Sequence, residues 1–314
     1  MTGYLVTLTT LVAIASLTGL ALNLQWGAAG MANFGLAGFY ALSAYACGLV
    51  SVATGSPLAG LGAALAVSFL ASGLVALVSL RLEEDYLAIV TLGFAELTRL
   101  VILNEGWLTQ GALGLAGIPR PLQGLLPGDF LEFGFLALTL LVLLAVFLVL
   151  ERLGRSPFGR ALRAVREDDV VAATLGKRVL WLRVRAFALG GAITGLAGAL
   201  HAFYYTYIDP SQFSSSITAY AFMAVIAGGR NSNRGLLLGA FTLMVLLEGT
   251  RFLKDAVPFL DSTRLAALRL ILIGGGLVAL LIYRPQGFLP EYRLRLARKP
   301  DPGSPQWLPV DPKS

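Results

Sequence analysis

FLEFGFLALTLLVLLAVFLVL, residues 130–150, carries one charged side chain, Glu132, and no helix breaker beyond a single glycine. A helix rises 1.5 Å per residue, so about 20 such residues cover the hydrocarbon core of a bilayer. ERLGRSPFGRALRAVREDDVVAATLGKRVLWLRVR, residues 151–185, follows it at once and holds nine Lys and Arg. An apolar run of crossing length that ends on a dense basic segment reads as a transmembrane helix entering the cytoplasm.

Outward from this junction the same texture repeats. Runs of crossing length occupy Tyr4–Leu24, Asn33–Ala53, Leu58–Leu80, Tyr86–Leu103, Val184–Tyr205, Gly235–Leu253 and Leu265–Tyr283, giving about eight spans with Phe130–Leu150. Ile217–Ala227 is too short for an upright crossing and ends in Gly228-Gly229, which predicts one short or broken membrane helix. The expected fold class is therefore all-α, a polytopic membrane helix bundle with a cytoplasmic coupling-helix loop. Residues 1–290 form one transmembrane domain, the loop is 151–185, and the Pro- and charge-rich residues 291–314 are expected to be a disordered cytoplasmic tail.

Composition agrees: 56% of the 314 residues are hydrophobic and 13% charged, against roughly a quarter charged in soluble domains, and mean hydropathy is +0.75. Met1–Leu24 lacks the basic start of a signal peptide and reads as a first spanning helix. The net charge of +6 reflects basic loops, so nucleic acid is not an expected partner. With the loop 151–185 and the basic tail inside, the inner side holds Arg81, nine residues of the loop, Arg230, Arg234 and six from Arg284 onward; the outer side holds Arg120, Lys254 and Arg264. That asymmetry predicts a periplasmic amino terminus and a cytoplasmic carboxyl terminus, with Ile217–Ala227 counted as a crossing.

The residues give little support to enzyme chemistry. The chain has one His, His201, and one Cys, Cys47, and no P-loop, zinc spacing or nucleophile–base constellation. No catalytic residue, metal site or cofactor of its own is expected, and any ATP and Mg are used by separate ATPase chains. Charges inside spans are costly and find partners. Glu96 with Arg99, and Glu248 with Arg251, stand three apart and share a helix face. Each pair either lines a polar path or is held structurally near a span end; Glu132 and Arg269 are further candidates. Asn33, Gly35, Gly38, Gly228 and Gly229 are candidates for the translocation path or for helix packing, since small residues let membrane helices approach closely.

Within the loop, Ser156-Pro157 is a helix-start signal, and Phe158, Leu162 and Val165 recur at helical spacing among arginines. A second short helix fits Asp168–Leu175, with acids at its start and Gly176 as its C-cap. Two short amphipathic helices on one face make a docking knob; a loop that merely fixes topology is the plainer reading. Arg163, Glu167, Asp168, Ala172, Ala173 and Gly176 are the candidate docking residues of this knob.

FGRALRAVREDDVVAATLG resembles the coupling loop of LivM-type permeases of the branched-chain (hydrophobic) amino acid ABC importer family. GMANFGLAGFYALSAY (residues 30–45) resembles that family's second-helix signature, DYLAIVTLGFAELTRLVILN (85–104) its next block, and YRPQGF (283–288) its closing motif. GGRNSNRGLLLGA (228–240) takes the place of its glycine-rich turn, though with bulkier residues. The resemblance implies a permease subunit of the bacterial inner membrane, in which the six candidate docking residues couple the knob to an ATPase. Its partners are a homologous LivH-type permease, two ABC ATPase subunits, a periplasmic substrate-binding protein, membrane lipid, and an amino acid substrate with leucine, isoleucine and valine as the default. Urea or short-amide permeases are closely similar. Outside the family, an ion-coupled secondary transporter is the alternative, and a membrane-embedded enzyme a more distant one.

Overall fold

A computed structural model describes residues 2–79, 84–124, 127–256 and 262–289. The side chains of Arg251 and Arg269, and the segment 291–314, lie outside the described residues. A helix occupies each expected run: α1 (Thr2–Leu22), α2 (Leu36–Thr54), α3 (Pro57–Ser79), α4 (Glu84–Asn104), α6 (Gly128–Arg155), α9 (Val179–Tyr205), α11 (Asn233–Ala256) and α12 (Ser262–Tyr283). The short run is α10 (Ser216–Gly228), and the basic loop holds α7 (Pro157–Glu167) and α8 (Asp169–Thr174). Between α4 and α6 lie a single turn, α5 (Gly106–Thr109), and the strand β1 (Leu115–Ala116), which pairs antiparallel with β2 (Tyr207–Ile208). Among the described residues, helices covering 3–28, 36–54, 57–78, 86–104, 130–155 and 179–205 are long and apolar enough to cross a membrane.

α9 is the pillar of the bundle, packed against α1, α2 and α3. Gly191 and Gly195 make this possible: a Cβ on Gly191 would lie 1.9 Å from Ser72 Oγ of α3, and on Gly195 2.9 Å from Ser68 Cβ. Ser68 Oγ donates to the Gly191 carbonyl at 2.6 Å. In lipid, where apolar burial drives nothing, such small-residue contacts and buried hydroxyls hold helices together.

α1 does not end where its apolar run ends. It continues as a π-helical turn over Asn23–Ala28, and an irregular stretch then climbs back to α2. Irregular backbone at this depth must find internal partners. Gly35 N–H donates to Asn33 Oδ1 (2.8 Å), Phe34 N–H to Thr91 Oγ1 (3.1 Å) and Ala37 N–H to Thr218 Oγ1 (3.1 Å). Asn33 Nδ2 donates to Gln25 Oε1, and Gln25 Nε2 to the Phe187 carbonyl. Asn33 and Gln25 are fully buried, so each amide is satisfied by the other or by α9.

α6 runs to Arg155 and α9 starts at Val179, so the segment between them is 156–178, inside the expected 151–185. Pro157 sets the first limit: it forces the preceding residue out of helical geometry, and Ser156 is extended (φ −71°, ψ 167°).

Candidate functional site

The Ser156 side chain caps α7 by accepting from Gly159 N–H, and the Asp168 carboxylate caps α8 by accepting from Val171 N–H at 2.9 Å. Gly176 closes α8 at φ +77°, a left-handed turn that glycine enters without a Cβ penalty. α7 buries Leu162 and Val165 against the bundle. Gly159 sits where a Cβ would lie 2.3 Å from the Leu153 carbonyl, so α7 is pressed directly onto the end of α6.

Arginines fasten the knob. Arg163 donates to the Gly154 carbonyl (3.1 Å), Arg166 to the Gly27 carbonyl (2.5 Å) and to Glu167 (2.9 Å), and Arg183 of α9 pairs with Asp169 of α8 (3.2 Å). α7 is thereby tied to α6 and to the end of α1, and α8 to α9. Of the expected coupling residues, Arg163 folds back on α6 and Ala172 is buried, while Glu167, Asp168, Ala173 and Gly176 are exposed. The surface that α8 presents comes from residues the sequence reading passed over. Val170, Val171 and Leu175 are 69%, 52% and 74% exposed. Their signal was available: adjacent Val170 and Val171 on a six-residue helix, with Leu175 just past its end, exceed what one buried face can absorb.

Between the knob and the turn after α10 lies a cavity of about 1130 Å³, lined in part by Arg155, Arg160, Arg163, Arg166 and Arg234 with Glu151 and Glu167. That turn is built tightly. Gly229 (φ +111°) faces the closing motif so closely that a Cβ would sit 2.4 Å from the Leu289 carbonyl. Phe288 N–H and Leu289 N–H donate to the carbonyls of Ala227 and Gly228. A Cβ on Gly228 would strike Gly235 of α11 (2.4 Å). Asn23 clamps the same turn, accepting from Asn231 N–H (2.8 Å) and donating to Asn233 Oδ1 (2.9 Å). Arg230 lies over the Trp26 ring, 4.7 Å from its centroid.

Gly35 and Gly38 meet α4: a Cβ on Gly35 would lie 2.5 Å from the Thr91 carbonyl, and on Gly38 2.6 Å from Ala95 Cα. On that helix Arg99 grips Glu96 through Nε and Nη2 (2.5–3.2 Å), with both side chains partly exposed on the outer face of α4. Glu248 is partly buried on α11, and its expected partner Arg251 lies outside the described side chains.

The opposite end of α9 carries a second polar arrangement. His201 Nε2 meets Gln212 Oε1 at 3.0 Å, and Gln212 Nε2 donates to Asp209 Oδ2 at 2.9 Å. Asp209 Oδ1 also accepts from Ser211 N–H and hydroxyl. Partial burial pushes the Asp209 carboxyl up, but these hydrogen bonds outweigh it and hold the group below the usual carboxylate range. Tyr40, Tyr205 and Phe213 surround the His201 ring. The hydrogen-bond partner of His201 lies eleven positions on, past the end of α9 and β2.

These features define a class: a multi-pass membrane protein, an all-α bundle with a helical knob at one end and a hydrogen-bonded polar layer at the other. Residues 4–283 match the family described as "Branched-chain amino acid transport system / permease component", and the chain belongs to that family. It is 34% identical to the high-affinity branched-chain amino acid transport system permease protein LivM of Salmonella typhimurium and 35% identical to that of Escherichia coli, in both cases over 94% of this chain and 72% of the relative. It is 28% identical to a probable LivM of Methanocaldococcus jannaschii, over 88% of this chain and 90% of the relative. No solved structure matches the chain.

Proposed function

We propose that this chain is a membrane permease subunit of an ATP-driven importer of branched-chain amino acids. The observation that carries the reading is family membership over nearly the whole chain, together with identity to LivM proteins across 94% of it. Nine crossings, with α10 completing the passage of the chain, put the amino terminus in the periplasm and the basic knob in the cytoplasm. The Lys and Arg distribution supports that orientation, and the placement of α7, α8, the turn 229–232 and the closing motif at one end of the bundle agrees with it.

The knob docks a separate ATPase chain. Val170, Val171, Ala173 and Leu175 form the docking surface, and Arg166 and Arg183 pass its rigid-body motion to α1 and α9. The importer comprises two such ATPases, which use ATP and Mg, a LivH-type permease and a periplasmic binding protein. The Glu96–Arg99 pair faces the LivH-type permease or the aqueous path between the two, because a charge pair left in lipid is costly.

Uptake of radiolabelled leucine into proteoliposomes containing this chain and its neighbouring permease, ATPases and binding protein tests the reading. ATP-dependent uptake that disappears without the ATPases supports it. Urea uptake in its place keeps the mechanism and changes the substrate, and uptake by this chain alone overturns the coupling.

A further inference from the structure

Beside the knob, on the flank where α7 meets the start of α9, a second cavity of about 520 Å³ is lined by Lys177, Arg178, Arg185, Trp181, Phe158 and Leu182 among others, with no Asp or Glu among its described lining residues. None of the three cations has a carboxylate within ion-pair distance among the described residues. On α8, Asp169 is paired with Arg183 and Asp168 caps the helix, and neither is within ion-pair distance of the three cations. Three exposed cations without a carboxylate partner, beside a Trp and a Phe at the head of a membrane helix, form a local positive field that attracts an anion.

The exposed residues of α9 show what kind of anion. Trp181, Arg185 and Leu189 are exposed while Val184, Ala186, Phe187 and Ala188 between them are buried, so the three form one stripe at i, i+4 spacing. At 1.5 Å per residue, Arg185 lies about 6 Å further along the axis than Trp181, and Leu189 about 6 Å beyond that. α3 packs alongside and exposes Leu74 and Leu77. The stripe thus passes from a cationic rim with a Trp, through one arginine, into bare hydrocarbon. A soluble anion satisfies only the rim; a molecule with an anionic head and acyl chains satisfies all of it.

We infer that this flank is a binding site for an anionic phospholipid of the inner leaflet. Its phosphate sits among Lys177, Arg178 and Arg185, and its acyl chains lie along Leu189 and α3. The inference rests on the orientation proposed above. It gives Trp181 a task, as the interfacial ring beside the headgroup, and it places a lipid against the base of the coupling knob.

Native mass spectrometry of the purified full-length chain, titrated with phosphatidylglycerol and phosphatidylcholine of matched acyl chains, tests it. The site predicts at least tenfold preferential retention of phosphatidylglycerol. Lys177→Gln/Arg178→Gln/Arg185→Gln is expected to bring the ratio to near one, whereas the charge-keeping Lys177→Arg/Arg178→Lys/Arg185→Lys preserves it and controls for folding. Acyl-brominated phosphatidylglycerol is expected to quench a fluorescence component that Trp181→Phe removes. Equal retention of the two lipids, unchanged preference in the Gln variant, or displacement by millimolar glycerol 3-phosphate overturns the proposal, the last by showing a free-anion site. Side-specific labelling of a cysteine placed at Ala173 reports the orientation separately. Because retention in detergent does not depend on sidedness, failure of one reading is distinguished from failure of the other.

Discussion

At its Tyr205 end α9 runs into a layer whose polar side chains hydrogen-bond to one another; at its Val179 end it runs into a basic helical knob. The outer layer spends its polar groups internally: Asp209 is saturated by Ser211 and Gln212, Gln212 joins it to His201, and aromatic rings enclose the imidazole. β1 and β2 add a lid of backbone hydrogen bonds, with Leu115 and Ile208 buried beneath. The inner layer is just as well fastened to the bundle, yet it leaves Val170, Val171 and Leu175 in water beside an arginine-lined cavity. Both ends expose apolar side chains, Trp107 and Leu113 at the outer one and Val170, Val171 and Leu175 at the inner one, so the contrast lies in the mount: the inner patch sits on and just past α8, which Arg183 ties to α9. An exposed apolar patch on a rigid mount marks a surface completed by another chain.

Several changes can break or sharpen that contrast. The largest effect is expected from Ala173→Trp combined with Leu175→Asp, which alters the exposed side of α8 without touching buried Ala172. Loss of central interface contacts costs about 2 kcal/mol or more, so ATP-dependent uptake should fall by at least about 30-fold while the permease stays folded and membrane-inserted. Normal coupled uptake in that variant breaks the docking reading. Gly191→Leu should act on stability instead. Its side chain has no room against Ser72, and overpacking costs about 1–3 kcal/mol, read as a lowered thermal midpoint of the purified protein with uptake lost only in proportion to unfolding.

Gln212→Leu takes the hydrogen-bond partner from His201 and one partner from Asp209, which keeps Ser211. A cost of about 1–2 kcal/mol is expected in thermal or denaturant unfolding, with ATPase docking unchanged in pull-down; weakened docking would mean that the two ends of α9 are coupled. The smallest effect concerns pH. The depressed Asp209 carboxyl stabilises the fold above its unfolded-state value, about 3.9, and that contribution is lost as pH falls through its lower folded value. Unfolding midpoints of wild type and Asp209→Asn should therefore converge as pH is lowered below about 4.

The sequence made the bundle legible because crossing a bilayer demands a length of apolar residues, and such length survives any tertiary arrangement. α7 and α8 were legible for a different reason: Ser156-Pro157, Asp168 and Gly176 are local signals, and each acts at the position where it was read. What escaped was set by contact across the fold. The π-helical turn Asn23–Ala28 is held by Asn231, Asn233 and Phe187, all more than 150 positions away. β1 and β2 are two residues each, too short for any alternation to show. Which side of α8 meets the bundle, leaving Val170 and Val171 exposed and Ala172 buried, is likewise set by the fold.

The pairing of the closing motif with the end of α10 also has a consequence for biosynthesis. The carbonyls of Ala227 and Gly228 stay without those partners until Phe288 and Leu289 have been made, about 60 residues later. At roughly 5–20 residues per second that is a wait of about 3–12 s. During this interval the turn that lines the inner cavity is unfinished, so a truncated chain can insert most of its helices and still lack a formed inner mouth. Closure of this turn therefore waits on the arrival of Phe288 and Leu289.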